Sequence, residues 1–194
     1  MANEHSKHNA QRVWSILLAS DASPYIGEPI SQFEHALQAA DRALAVGCDE
    51  SVVLAALLHD IGHLIAPKAP QMDGLGTLQH ETIGAQFLNN MGFSAHITTL
   101  VAAHVDAKRY LCAQNPQYFK CLSPASKGTL EWQGGPMSPE ECETFKQWSY
   151  FEDALRLRSF DEQAKKTDYT SPNLELYQRM IERHLSLTSS PSKE

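Results

Sequence analysis

The stretch Val52-Val53-Leu54-Ala55-Ala56-Leu57-Leu58-His59-Asp60-Ile61-Gly62-His63 joins the most hydrophobic run of the chain to a cluster of polar residues. The run is apolar on nearly every side of a helix, which indicates a helix buried in the centre of the fold. Asp49 lies just before it and is suited to cap its N-terminus. Polar residues at the end of a buried helix need partners, because burying an unpaired polar group is costly. The stretch therefore predicts a central helix with functional residues at its C-terminal end.

Helix signals continue on both sides of this stretch. Gly47 and Gly92 end or separate helical segments, and cap residues precede prolines in Asn115-Pro116, Ser123-Pro124 and Ser138-Pro139. Alternating runs of β-branched residues, which are typical of strands, are missing. We therefore predict an all-α fold, a helical bundle, with its longer helices at residues 7–20, 30–46, 80–91, 94–104, 151–165 and 174–187 and loops at residues 21–29 and 64–77.

Length and composition indicate one domain. The 194 residues are 42% hydrophobic and 20% charged, which is the balance of a globular chain. This length can bury a substantial core but is short for two ordinary domains and a linker. We expect a single domain over residues 1–194, with a core at about 7–187 and a polar tail at 188–194.

Charge and cysteine usage exclude several classes of partner. The formal net charge of −7 gives no general attraction to nucleic acid or to an anionic membrane. No run approaches the ~20 apolar residues needed to span a bilayer, and residues 1–11 are too polar for a signal peptide. The cysteines form no Cys-x-x-Cys pair, so we expect reduced thiols. The sequence predicts a cytoplasmic protein without a nucleic-acid or membrane partner and leaves its oligomeric state open.

A set of histidines and aspartates recurs at predicted helix ends and on inward-facing positions: His35, His59, Asp60, His80, His104 and Asp161. Taken alone, each histidine would fit a core residue with a satisfied hydrogen bond. Together they form a nitrogen and oxygen ligand set without thiolate, which suits iron, manganese, zinc or nickel. Six ligands are too many for one ion with open positions. We predict two ions bridged by Asp60, one on His35, His59 and Asp161 and the other on His80 and His104.

The pattern His35…His59-Asp60…Asp161 resembles the HD-domain superfamily, and the added His80 and His104 resemble its dinuclear branch. The likeness becomes more specific in residues 25–28 (Tyr-Ile-Gly-Glu), 59–63 (His-Asp-Ile-Gly-His), 104–111 (His-Val-Asp-Ala-Lys-Arg-Tyr-Leu) and 133–137 (Gln-Gly-Gly-Pro-Met). These segments resemble the PhnZ-like family of mixed-valent di-iron oxygenases, which cleave carbon–phosphorus bonds. The resemblance extends from about residue 25 to about residue 180.

The resemblance implies an iron pair poised as Fe(II)/Fe(III), O2 as cosubstrate, and a small phosphonate as partner. Its best-matched reaction converts 2-amino-1-hydroxyethylphosphonate to glycine and phosphate. It also implies substrate contacts, in which the phosphonate group is held by His63, Lys108, Ser126 and Arg158. In the loop at residues 21–29, Tyr25 would cap an iron until substrate arrives, and Glu28 would receive the substrate ammonium.

Other functions fit part of the same pattern. A metal-dependent HD phosphohydrolase would use the same ligands to activate water against a phosphate ester. A catalytically idle HD module would bind metal or nucleotide as a regulator, although the intact ligand set argues against it. Within the oxygenase interpretation, hydroxymethylphosphonate or a trimethylammonium analogue is an alternative substrate. The sequence alone fixes neither the metal and its redox state nor the side chain of the substrate.

Overall fold

The computed structural model describes residues 2–188, with side chains from residue 4 onward. Over that range the chain is helical, and extended pairing is limited to isolated bridges between Pro24 and Ser31 and between Gln71 and Thr77. The predicted all-α fold is confirmed. Most of the predicted tail, residues 189–194, lies outside the described residues. Within residues 2–188, no helix is both long and apolar enough to cross a membrane.

The helices follow one another through short turns. In chain order they are α1 (Ala2–Ala19), α2 (Gln32–Ala45), α3 (Glu50–Leu58), α4 (Ile61–Ile65), α5 (His80–Met91), α6 (Ala95–Gln114), α7 (Pro116–Cys121), α8 (Pro124–Trp132), α9 (Pro139–Lys146), α10 (Phe151–Gln163) and α11 (Leu174–Thr188). A 3-10 turn, Ser20–Ala22, leads from α1 into the loop before α2.

The predicted helix starts are confirmed where a cap residue marks them. Asp49 accepts a hydrogen bond from the Val52 backbone N–H, and the serine and asparagine before each proline cap α7, α8 and α9 in the same way. The predicted end of the helix at residue 104 is wrong, because α6 continues to Gln114. Residues 95–114 contain no glycine or proline that would end the helix. The first proline after them is Pro116, whose ring disfavours a helical conformation at the preceding residue, Asn115.

Helix α3 lies at the centre, and its residues 52–58 are all buried. Helices α2, α6 and α10 pack against it, while α5 packs against α6 and α4. Gly62, at the start of α4, allows the closest of these approaches. A Cβ atom there would lie 1.9 Å from the carbonyl oxygen of His80. The predicted central helix is thus confirmed.

A buried carboxylate holds the segment between α10 and α11 against α2. Asp41 accepts hydrogen bonds from the Tyr169 and Tyr177 hydroxyl groups and from the side-chain amide of Asn173. One turn earlier, Gln38 bonds both the N–H and the carbonyl of Lys166. These long-range bonds fix residues 164–173 beside the helix that carries His35.

Candidate metal centre and substrate cavity

The structure brings together the six residues predicted as metal ligands. They come from five helices or their ends: His35 from α2, His59 and Asp60 from the end of α3, His80 from the first position of α5, His104 from α6, and Asp161 from α10. The four histidines and Asp161 are buried, and the Asp60 side chain is 15% exposed. These charged and polar groups therefore meet in a nearly dry centre.

The carboxylate of Asp60 is divided between two pairs of histidines. Its Oδ2 lies 3.7 Å from His35 Nε2 and 3.4 Å from His59 Nε2. Its Oδ1 lies 3.5 Å from His80 Nε2 and 3.6 Å from His104 Nε2. One carboxylate with an oxygen toward each pair is the arrangement expected of a residue that bridges two metal ions.

Asp161 belongs to the first of these pairs. Its Oδ1 lies 3.4 Å from His35 Nε2 and 3.8 Å from His59 Nε2. The structure thus separates the donors into a first group, His35, His59 and Asp161, and a second group, His80 and His104, with Asp60 between them.

The hydrogen bonds of the histidines show which ring nitrogen is free. Each Nδ1 faces a backbone carbonyl, which only accepts, so each neutral ring carries its proton on Nδ1. The carbonyls belong to Ala164, Ala56, Thr77 and Val101 for His35, His59, His80 and His104 in turn. When the rings are neutral, unprotonated Nε2 atoms converge, 3.2 Å apart in the first group and 3.0 Å apart in the second. Facing lone pairs repel, and a metal cation between them removes the repulsion. The donor set therefore fits two metal ions.

The electrostatics of the second group favour metal binding. Burial lowers the pKa of His80, and it lowers the pKa of His104 to about 4, so both imidazoles are neutral near pH 7. Burial opposes ionisation of Asp60, yet the surrounding histidines keep the pKa of this carboxyl below its ordinary value. Neutral imidazoles and an ionised carboxylate are the protonation states that ligate a metal.

His63 also lies beside the centre, but its hydrogen bonding differs. One carboxylate oxygen of Asp60 and one nitrogen each of His63 and His80 lie within 4.8 Å of one another, and the His63 ring stacks on His80 with 3.9 Å between centroids. His63 Nδ1 accepts a hydrogen bond from the Thr77 backbone N–H at 3.0 Å. Burial lowers its pKa, so the neutral ring carries its proton on Nε2. His63 thus presents Nε2 as a hydrogen-bond donor, unlike the four histidines of the predicted ligand set, whose Nδ1 atoms face carbonyls.

A cavity of about 70 Å³ opens above the Asp60 carboxylate. Among its walls are all the residues predicted to hold a phosphonate, together with Tyr25 and several of the metal-ligand set: His63, Lys108, Ser126, Arg158, Tyr25, Asp60, His80, His104 and Asp161. Ile26, Met72, Leu75 and Val105 complete an apolar part of the wall. The cavity is thus small, bounded by metal ligands on one side and by cations on another.

The two cations of the cavity are buried and held in place. Lys108 is 3% exposed and donates to the Thr129 hydroxyl at 3.0 Å. Burial, reinforced by the charge of Arg158, lowers the pKa of Lys108 to about 7. Arg158 donates to the Tyr118 hydroxyl at 2.8 Å and forms ion pairs with Asp161 and Glu162. Burial weakens the affinity of a lysine for its proton. A negatively charged ligand beside Lys108 would raise its pKa again and so favour the charged form.

Tyr25 and Glu28 lie in one turn but face different surroundings. The Tyr25 ring stacks on His35 with 3.9 Å between centroids, and burial raises the pKa of its hydroxyl, as do the charges of Asp161 and Asp60. The Glu28 backbone N–H donates to the Tyr25 carbonyl. The Glu28 carboxylate, however, is not part of the cavity wall and pairs with Lys165 at 3.5 Å. The structure therefore brings Tyr25 into the predicted site and leaves Glu28 outside the cavity wall.

Several residues of the site were missed by the sequence analysis. Thr129 and Gln133 line the cavity beside Ser126, and Tyr118 holds Arg158. Thr129 and Gln133 could have been found from the sequence, because Ser123-Pro124 predicts a helix start and residues 126, 129 and 133 then fall on one face of that helix. Nothing comparable marks Tyr118, whose role depends on a contact 40 residues away in sequence.

Comparison with protein families agrees with the all-α fold. The profile of the HD domain family matches residues 32–151, a segment that includes five of the six predicted ligands. The chain therefore belongs to the HD-domain family.

Curated relatives narrow the assignment within that family. A [1-hydroxy-2-(trimethylamino)ethyl]phosphonate dioxygenase (glycine-betaine-forming) from Leisingera caerulea is 40% identical over 83% of this chain and 84% of its own length. A hydroxymethylphosphonate dioxygenase from Gimesia maris is 38% identical over 91% of this chain and 90% of its own length. An uncharacterised protein, L432, of Acanthamoeba polyphaga mimivirus is 39% identical over 84% of this chain and 76% of its own length. Among HD-domain proteins, the chain belongs with the phosphonate dioxygenases.

Proposed function

We propose that this chain uses an Fe(II)/Fe(III) pair and O2 to cleave the carbon–phosphorus bond of a 1-hydroxyalkylphosphonate. The observation that carries the proposal is the division of the Asp60 carboxylate between two histidine pairs, on the floor of a cavity that holds two buried cations. Two relatives that cover most of the chain are named as phosphonate dioxygenases, which supports the same reaction class.

The reaction balances without any further reagent. For 2-amino-1-hydroxyethylphosphonate, O2 accepts the electrons of the C1–H and C1–P bonds. One oxygen atom joins C1, which becomes the carboxylate of glycine, and the other joins phosphorus, which leaves as phosphate. The iron pair, when bound, supplies the activation of O2 and the removal of the C1 hydrogen.

The side chains of this protein bind and orient the substrate. Lys108 and Arg158 offer positive charge to the phosphonate oxygens, and a dianion beside them strengthens both interactions in the dry cavity. His63 donates from Nε2 and Ser126 from its hydroxyl. Tyr25 covers His35 and keeps water from the first histidine pair until the substrate enters. Such positioning fixes the C1 hydrogen beside the metal centre.

The substituent on C1 is the second part of the proposal. The sequence resemblance favours 2-amino-1-hydroxyethylphosphonate, with Glu28 as the acceptor for its ammonium group. The relatives are named for a trimethylammonium compound and for hydroxymethylphosphonate, which carries no carbon substituent on C1. We take the aminated compound as the first candidate and the other two as alternatives.

The test is anaerobic reconstitution with iron, followed by addition of 2-amino-1-hydroxyethylphosphonate with and without O2. We expect phosphate and glycine in equal amounts, only with O2, and a low-temperature EPR signal of a coupled Fe(II)/Fe(III) pair. The same assay with hydroxymethylphosphonate and the trimethylammonium analogue ranks the substrates. Phosphate release from simple phosphate esters with manganese or zinc, independent of O2, would contradict the oxygenase and identify a hydrolase.

A further inference from the structure

A row of alternating charges connects the cavity to Glu28. Arg158, in the cavity wall, pairs with Glu162, and Glu162 Oε1 pairs with Lys165 Nζ at 2.9 Å. Lys165 Nζ in turn lies 3.5 Å from Glu28 Oε1. The side chains of Lys165 and Glu28 are 18% and 20% exposed, so water screens this pair only in part. Within the row, each carboxylate already faces a cation.

This arrangement matters for a substrate with a positive charge. Among the described residues that line the cavity, the carboxylates are Asp60 and Asp161, and both belong to the metal centre. Glu28 lies outside the cavity wall, but its backbone N–H donates to the carbonyl of Tyr25, a residue that lines the cavity. The proposed function assigns to this carboxylate the ammonium group on C2 of the substrate. In this structure the Lys165 ammonium occupies that carboxylate.

We infer that Lys165 is a specificity-determining residue, which competes with a cationic substituent of the substrate for Glu28. The inference rests on the proposed phosphonate oxygenase function. A substrate without a positive charge leaves the Glu28–Lys165 pair intact. A substrate with an ammonium group displaces Lys165 or binds beside it, and like-charge repulsion then weakens binding. Lys165 thus lowers the preference for aminated phosphonates.

The experiment compares two substrates that differ only in the ammonium group, 1-hydroxyethylphosphonate and 2-amino-1-hydroxyethylphosphonate. In the iron-loaded Lys165→Met variant, we expect kcat/KM for the aminated substrate to rise about two- to fivefold relative to the uncharged one, the range expected of a partly exposed ion pair. The change should appear in KM and not in kcat. Anaerobic Kd values for 2-aminoethylphosphonate and ethylphosphonate should shift in the same ratio, independent of turnover.

Lys166→Met is the matched control, because Lys166 is exposed and its side chain lies over Tyr169 and away from Glu28. It should leave the ratio unchanged, and Lys165→Arg should restore the wild-type ratio. Equal changes for both substrates in Lys165→Met would mean a merely structural role and would overturn the inference. Wild-type turnover with an unchanged ratio would overturn it as well, whereas no O2-dependent phosphate from any variant would instead contradict the proposed function.

Discussion

The two histidine pairs of the metal centre are supported in different ways. In the second pair, His80 and His104 each direct Nδ1 to a carbonyl three residues earlier in the chain, so a single turn sets each ring. In the first pair, His35 directs Nδ1 to the carbonyl of Ala164, 129 residues away. The second pair is thus oriented locally, and half of the first depends on the segment after α10.

The difference shows which changes will affect one metal site and which will affect both. A histidine whose Nδ1 bond is lost can turn or change tautomer, and its affinity for metal falls. The bonds of His59 and His104 lie in α3 and α6 and survive as long as those helices do, whereas the bond of His80 depends on the turn before α5. The bond to Ala164 survives only while residues 164–166 remain packed on α2. The first metal site should therefore be the more sensitive to distant substitutions.

The largest effect is expected where the two pairs meet. Asp60→Asn removes the negative charge shared by both pairs, and both sites should lose metal. We expect iron content to fall below half and activity to fall more than about 100-fold. Asp106→Asn is the control, because that side chain is 46% exposed and pairs with Arg109. Metal analysis and phosphate release measure both outcomes, and retention of two irons with full activity would contradict the bridging role.

A second substitution, Gly62→Ala, affects the packing of α4 against the backbone of His80 at the start of α5. In Gly62→Ala the new Cβ would lie 1.9 Å from the His80 carbonyl oxygen, so α4 and α5 must move apart. We expect a loss of roughly 1–3 kcal/mol in the free energy of unfolding, as for other overpacked contacts. Gly84→Ala meets its nearest neighbour at 3.1 Å and should cost less. Urea unfolding of both variants checks the order, and equal stabilities would show that the helices separate freely.

The comparison of the two pairs is tested most directly at Gln38. Gln38→Met keeps much of the side-chain volume but removes both bonds to Lys166, at 2.9 Å each, and so loosens the segment that carries the Ala164 carbonyl. We expect metal affinity to fall by about 10–100-fold at the first site alone. Competition titration with a chelator should show one weakened and one unchanged ion. Equal weakening of both would contradict the difference in support.

A control for this variant comes from the same region. Gln163 is exposed at the end of α10, and its side chain bonds Ser159 and Arg42. Gln163→Met should leave both metal affinities unchanged. A melting-temperature measurement on both variants separates local loosening from general loss of stability, because a general loss would weaken the two ions together.

The same distinction explains what could be predicted from the sequence. Helix caps, the buried run at residues 52–58 and the residue types of the predicted ligands are local features, and the all-α fold and the proposed ligand set were both derived from them. The length of α6 did not, because a helix that passes a functional residue gives no local signal there. The Ala164 carbonyl and the Lys165–Glu28 pair depend on contacts over more than 100 residues. No local pattern encodes such contacts.

The smallest expected effect is a pH dependence of substrate binding. It arises from Lys108, in the wall of the cavity beside the metal centre. The pKa of Lys108 is lowered to about 7, so this group is charged below that pH and loses its proton as the pH rises. Affinity for a phosphonate should fall with it, and KM should rise roughly tenfold between about pH 6 and about pH 8.5, which is the value of one charge-assisted hydrogen bond.

The Lys108→Arg variant isolates this effect, because a guanidinium stays charged over the whole range. Ionisation of the phosphonate itself acts on wild type and variant alike, so the ratio of their KM values reports Lys108 alone. The KM of the wild type divided by the KM of Lys108→Arg should rise with pH and level off once the lysine is neutral. If the ratio is constant, the lysine keeps its proton throughout, and the bound dianion has raised its pKa above the range tested. The Lys108–phosphonate contact would then be stronger than the pKa of about 7 in the ligand-free cavity indicates.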